Sequence, residues 1–214
     1  MPDPSHAQPH PAAPPERRPG GRTARIRAHV LDAVRAELGA HGYEGLTMEG
    51  VAARAGVHRA TVYRRWQDTG GLLADLLDAA GQDDWQPPNT GSLHEDLTAL
   101  NDEIQQSLLA QPSIAQALIA ASFRSARAAH AQQQLWEDRY QRCEILVERA
   151  IQRGELPHHT DARRLLIAAT APLYHQLVLM HTPPDPHLPT HAATTATLAA
   201  SAGAFNHPPP NPNP

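Results

Sequence analysis

The side chains best suited to chemistry in this sequence crowd between residues 47 and 66, TMEGVAARAGVHRATVYRRW. Arg59, Arg64 and Arg65 bring guanidinium donors, and Thr47, Thr61 and Tyr63 bring hydroxyls. With Val57, Val62 and Trp66 assigned to a core, these groups are left on the outer face of a short basic helix over residues 58–66. Donors so placed suit phosphates and base edges in a DNA major groove. Trp66 could instead stack on a base, but its spacing from Val62 puts it inside. Tyr63 is divided, its ring half in the core and its hydroxyl free for a phosphate.

That helix needs a support that holds it out from the body. Thr47 has the chemistry of an N-cap, followed by Glu49 and the apolar Met48, Val51, Ala52 and Ala55. Gly56 supplies the left-handed conformation that ends a first helix and starts the turn. Ala52, four residues earlier, keeps a small side chain where two helices cross steeply. Upstream, Ile26, Val30, Val34 and Leu38 recur every four residues, which predicts an amphipathic helix over 23–38. Downstream, Asp68-Thr69-Gly70-Gly71 begins a fourth helix with Leu72, Leu73, Leu76 and Leu77 as its stripe.

The remainder reads as helix throughout, since alternating β-branched runs are absent. Residues 81–92 are a loop by composition, and Ser92 with Glu95 has capping-box spacing for a helix over 93–109. Pro112 suits the first turn of a helix to about Ala126. A longer helix is expected over 130–153, closed by Gly154, and Asp161 can cap another over 162–181. That last helix is apolar nearly all round and must be covered on two sides, and Pro172 should kink it or leave a carbonyl near 168 unpaired. A proline-rich linker over 182–189 leads to an alanine-rich helix over 190–205. The fold class is therefore all-α: a three-helix bundle with a helix-turn-helix, then a larger helical domain. The expected division is a proline-rich disordered arm at 1–21, a DNA-binding domain at 22–68, a second domain at 69–205 and a disordered tail at 206–214. Arg17, Arg18 and Arg22 are candidates for phosphate or minor-groove contact, against the plainer reading of a solvated arm.

The charge is divided in the same way. The 214 residues carry a formal net charge of −4, with eighteen basic residues, all arginine. Residues 17–66 hold ten arginines against four acids, a net of +6, and residues 67–214 hold eight against sixteen, a net of −8. A basic end on an acidic body suits an anionic polymer at that end. Neither a secretory signal nor an apolar run of membrane-spanning length is present, and the single Cys143 excludes an internal disulfide, so a cytoplasmic protein is expected. The fourteen histidines offer no pair four apart in a confident helix beside a carboxylate, and no metal site or cofactor is expected. Catalysis is likewise unsupported. There is no Gly-x-Ser-x-Gly elbow, no glycine-rich phosphate loop and no nucleophile with a paired base.

The stretches GYEGLTMEGVAARAGVHRATVYRRW and GGLLADLL resemble the tetracycline-repressor-like (TetR/AcrR) family of transcriptional regulators, strongly over residues 22–80. The resemblance is weaker beyond, where VERAIQRGEL, Asp161 and APLYHQLV resemble one actinobacterial-type branch. It implies a homodimeric repressor that binds an inverted-repeat operator and releases it when a small molecule enters the C-terminal domain. Carried over by position, Thr47 would hold a phosphate, Arg59 would read a base with His58 and Ala60 beside it, Thr61 and Tyr63 would contact phosphates, and Arg64 and Arg65 would extend the contact. Thr69 departs from the lysine that many members carry at the start of the fourth helix. For the effector cavity the candidates are Trp85, Gln105, Phe123, Trp136, Tyr140, Cys143 and Tyr174, each of which is equally an ordinary core residue. The scarcity of buried charge points to a neutral or cationic, largely apolar effector. A dimer is expected through helices 162–181 and 190–205 of each subunit. The competing reading is a DNA-binding accessory protein without an effector; a helical enzyme with an incidental helix-turn-helix is remote.

Overall fold

The computed structural model describes residues 21–206. Residues 1–20 of the arm expected at 1–21, with Arg17 and Arg18, and residues 207–214 of the tail expected at 206–214 lie outside the described residues; Gly21 opens α1, and Asn206 bridges to Thr160. Nine α-helices follow one another in the described chain, with no strand: α1 (Gly21–His41), α2 (Met48–Arg54), α3 (Arg59–Trp66), α4 (Thr69–Gly81), α5 (Leu93–Leu109), α6 (Ile114–Ser122), α7 (Ala126–Gln152), α8 (Ala162–Tyr174) and α9 (Leu188–Ser201). The all-α expectation holds.

Side-chain caps set most of the helix starts. Thr47, Asp68, Ser92, Ser113, Ser125 and Asp161 each accept a backbone N–H from the first turn of the helix that follows. These groups satisfy donors that the helix itself cannot pair. The expected α5 is reproduced at both ends. α6 is shorter than expected: Pro112 precedes the Ser113 cap rather than opening the helix, and the helix stops at Ser122. α7 starts earlier, at Ala126, because Ser125 caps it. α9 also starts early, with Pro189 in its first turn, where fixed φ and a missing N–H cost nothing.

Three apolar clusters hold the helices together. The first joins Val30, Val34, Val51, Val62 and Trp66 to Leu72, Leu73 and Leu77 of α4 and to Leu118, Ala128 and Ala131 of α6 and α7. Packing is thus continuous from the helix-turn-helix into the first half of α7. The second gathers α5, the second half of α7, α8 and α9 around Leu97, Leu146, Leu165 and Leu166. The third, smaller, centres on Leu108, Leu173, Leu177 and Leu188.

Pro172 leaves α8 without one N–H, and soon after it the backbone widens into a π-helical turn over His175–Leu179, closed by Met180 N–H donating to the His175 carbonyl at 2.9 Å. Leu177 turns inward across this irregularity, whereas Leu179 and Met180 are 63% and 59% exposed. Ile167 of α8 and Leu198 of α9 are also exposed. One face of the α8–α9 pair is covered by the body, and the other leaves large apolar side chains bare.

Candidate DNA interface and central cavity

Gly56 has φ +64°, and the N–H groups of Gly56 and Val57 close on the carbonyls of Ala53 and Ala52 at 3.2 and 3.0 Å. This pair of bonds ends α2 and turns the chain at little steric cost. Ala52 is buried at the crossing as its size demands. Val62 and Trp66 anchor α3 in the first cluster, while Val57 packs only partly.

That anchoring leaves the other face of α3 outward. Arg59, Ala60, Tyr63, Arg64 and Arg65 are exposed and Thr61 is half-buried. Arg65 lies 5.1 Å from the Trp66 ring centroid. His58 is the N-cap of α3; its Nδ1 accepts the Ala60 N–H at 3.2 Å, so the ring is held against the helix start. Thr47 caps α2 through Oγ1, which accepts the Gly50 N–H at 3.0 Å. Tyr63 donates its hydroxyl to Glu49 at 2.8 Å. That bond raises the phenol above its ordinary pKa and lowers the carboxyl below its own. The hydroxyl must leave Glu49 before it can serve a phosphate.

Two residues that the sequence reading passes over join this surface. Arg25 and His29 of α1, with Arg22, His58 and Thr61, line an open groove of about 440 Å³ beside the Gly56 turn. Their spacing of three and four on the outer face of α1 was the available signal.

Behind α3, Asp75 of α4 is the central acceptor. Its Oδ1 takes the Arg27 Nε–H at 2.9 Å and its Oδ2 takes the Trp66 indole N–H at 2.7 Å. Burial pushes the Asp75 carboxyl up, but these bonds and the positive charge of Arg27 outweigh it and hold it below the usual range. α1 and α3 are thereby tied to α4. At the C-terminal end of α4, Arg139 and Arg142 of α7 donate to the Ala80 and Gly81 carbonyls and to Asp83. They satisfy carbonyls that the helix end leaves orphaned.

A cavity of about 290 Å³ lies beyond that end, between α4, α5, α6, α7 and α8. Trp85, Trp136, Tyr140, Cys143 and Tyr174 line it. Two expected lining residues do not. Phe123 is the C-cap of α6 and is 75% exposed, because the helix ends before its register would carry the ring inward. Gln105 is buried, but its amide donates to the Asp185 carbonyl at 2.8 Å and pins the 182–187 segment. Among the described residues no cluster of His, Cys, Asp and Glu could hold a metal ion, and no helix is long and apolar enough to cross a membrane.

A capped, tightly turned helix pair that presents a bare basic face from an all-helical body defines a helix-turn-helix DNA-binding protein. Residues 30–76 match the profile of bacterial regulatory proteins of the tetR family, and residues 87–196 match the tetracyclin repressor-like C-terminal domain. Over 149 residues the chain is 34% identical to the HTH-type transcriptional regulator AqdR of Rhodococcus erythropolis, covering 68% of this chain and 71% of that one. It is 33% identical over 117 residues to the uncharacterized HTH-type transcriptional regulator Rv1556 of Mycobacterium tuberculosis, covering 54% of this chain and 58% of that one. The crystal structure of the TetR family transcription regulator SCO0332 superposes with a TM-score of 0.65 at 28% identity, over 81% of this chain and 97% of that one. The chain belongs to the TetR family of transcriptional regulators; it is not an enzyme.

Proposed function

We propose that this regulator is a repressor that binds an inverted-repeat operator as a homodimer and leaves it when a small molecule fills the central cavity. The observation that carries the reading is α4, fixed at its middle to the recognition helix through Asp75 and at its C-terminal end to the rim of the cavity through Arg139 and Arg142. A ligand that favours a different position of α4 shifts the population away from the spacing needed to reach two half-sites, roughly 34–36 Å or a multiple of it.

Arg59 reads a base, His58 and Ala60 flank it, and Thr47, Thr61, Tyr63, Arg64 and Arg65 hold phosphates. Arg22, Arg25 and His29 extend the phosphate contacts along α1. The bare apolar residues Ile167, Leu179, Met180 and Leu198 form the face on which a second copy packs. Of the cavity residues, Trp85, Trp136, Tyr140, Cys143 and Tyr174 contact the effector.

The test is binding to the operator, found as an inverted repeat selected from random duplexes. Arg59→Ala relaxes base preference at one position, whereas Thr47→Ala weakens cognate and scrambled DNA alike. Equal losses on both duplexes for Arg59→Ala overturn the assignment. Operator affinity that ignores every cavity ligand favours an accessory DNA-binding protein without an effector.

A further inference from the structure

The wall of the central cavity carries two formal charges, Glu103 and Arg139, and both are already engaged. Glu103 Oε2 accepts the Trp85 indole N–H at 3.0 Å. Arg139 donates to the Ala80 carbonyl at 3.1 Å and to Asp83, and its guanidinium lies 4.6 Å from the Trp85 ring centroid. Arg139, the one cation among the described residues of the wall, is thus spent, and an anionic ligand would have to break this clasp or shed its own water in a largely apolar enclosure without a free positive partner. The ionisable groups beside it stay neutral. Burial pushes the Cys143 thiol up to about 12, where Arg139 lowers it a little and Glu103 raises it. Burial also drives the Tyr174 phenol well above its ordinary value.

What the wall offers a ligand is aromatic surface and one unpaired acceptor, an amide oxygen that meets the cavity only when its side chain turns. Trp136 meets Tyr174 edge to face at 4.9 Å and Tyr140 at 5.9 Å, a corner against which a flat ring packs well. Gln132 lines the same cavity, and its buried Oε1 has no hydrogen-bond partner among the described residues. An unpaired buried acceptor is costly, and a ligand that donates to it recovers that cost.

We propose that the cavity selects a flat aromatic molecule without a negative charge and with a single N–H or O–H donor, which packs on Trp136 and donates to Gln132 Oε1. This rests on the reading of the cavity as the effector site.

Phenylnaphthylamine is a probe of that class. It is neutral and fluorescent and has one N–H, and anilinonaphthalene sulfonate is the same skeleton with a negative charge. Titrated into the full chain, the neutral dye should bind about tenfold or more tighter than the sulfonate, a difference of roughly 1.4 kcal/mol. The N-methyl derivative, which lacks the donor, should bind about five- to tenfold more weakly than the parent dye. Gln132→Leu should abolish the difference between those two. Sulfonate binding as tight as the neutral dye overturns the charge selection, and indifference to N-methylation overturns the role of Gln132. In both cases Ala115→Phe, which fills the cavity, should still remove dye binding. If Ala115→Phe folds by circular dichroism and leaves dye binding unchanged, the effector-site reading itself fails, and the proposal with it.

Discussion

Replacing Asp75 with alanine should unfasten the recognition helix from the body. The carboxylate accepts Trp66 Nε1–H at 2.7 Å and pairs with Arg27 at 2.7 Å, with side-chain exposures of 20% for Asp75 and 30% for Arg27. Trp66 is 2% exposed, so its N–H loses its protein acceptor at a largely buried position once Asp75 is gone. An orphaned buried donor costs about 1–3 kcal/mol. The Arg27 pair is partly screened by solvent and contributes about 1 kcal/mol or less. Asp75→Ala should therefore lose roughly 1–4 kcal/mol in urea unfolding at pH 7, a large fraction of a typical 5–15 kcal/mol. Asp75→Asn keeps an acceptor for Trp66 and should lose only about 1 kcal/mol. The sign with pH follows from the depressed carboxyl. The ionised form's stabilisation is complete above the unfolded-state value of about 3.9 and disappears as pH falls through the lower folded-state value. The gap between wild type and Asp75→Ala should thus be flat from about pH 7 to pH 5 and narrow below about pH 4. An Asp75→Ala variant within about 0.5 kcal/mol of wild type, or equal to Asp75→Asn, would refute the reasoning.

A methyl group at Gly71 would sit 2.0 Å from the Trp66 carbonyl oxygen, whereas at Gly70 it would meet the Ser125 hydroxyl at 2.3 Å. Backbone cannot yield, whereas the Ser125 hydroxyl can turn away at the cost of its cap on α7, so Gly71→Ala should cost about 2–3 kcal/mol or more and Gly70→Ala about 1 kcal/mol, read as the order of melting temperatures. With its pKa pushed up to about 12, the Cys143 thiol should react with Ellman's reagent at pH 8 on the order of a hundredfold more slowly in the native protein than in urea, the scarcer thiolate being partly offset by its greater nucleophilicity. Comparable rates would show that the site is open. Leu198 is 67% exposed in a single chain, and Leu198→Glu should convert a dimer in sedimentation velocity to a monomer and remove cooperative operator binding. A dimer that survives would move the subunit interface elsewhere.

Elements whose determinants are local were legible in the chain. Thr47, Ser92 and Asp161 announce helix starts because a cap is a contact across three residues, and all three cap in the structure. Gly56 marks a turn for the same reason. Misjudged elements depend on something distant or on a missing local cue. The start of α7 falls in a weakly patterned alanine-rich run, and only the Ser125 cap fixes it. A helix running to about Ala126, as the sequence predicts, carries Phe123 inward; the stop at Ser122 turns it to solvent. Gln105 looked like a cavity residue because nothing local shows that the 182–187 segment folds back and offers its Asp185 carbonyl. The Asp75 hub escaped notice altogether. Its partners Arg27 and Trp66 lie forty-eight and nine residues away, and an acid on a leucine-rich helix reads as ordinary surface.

α4 is thirteen residues long, a stiff rod of about 20 Å. Both its fastenings draw on side chains of neighbouring helices, and its interior is free of proline, so it has no built-in hinge to absorb a push. Turned about the Asp75 fastening as a pivot, it would convert a swing of roughly 6° into about 1 Å of travel at Gly81, and the reverse holds equally well. With six residues on either side of that pivot, a nudge at the Gly81 end reappears at Thr69 with the same size and opposite direction, so any signal relayed along this strut must rely on its stiffness rather than on large movement.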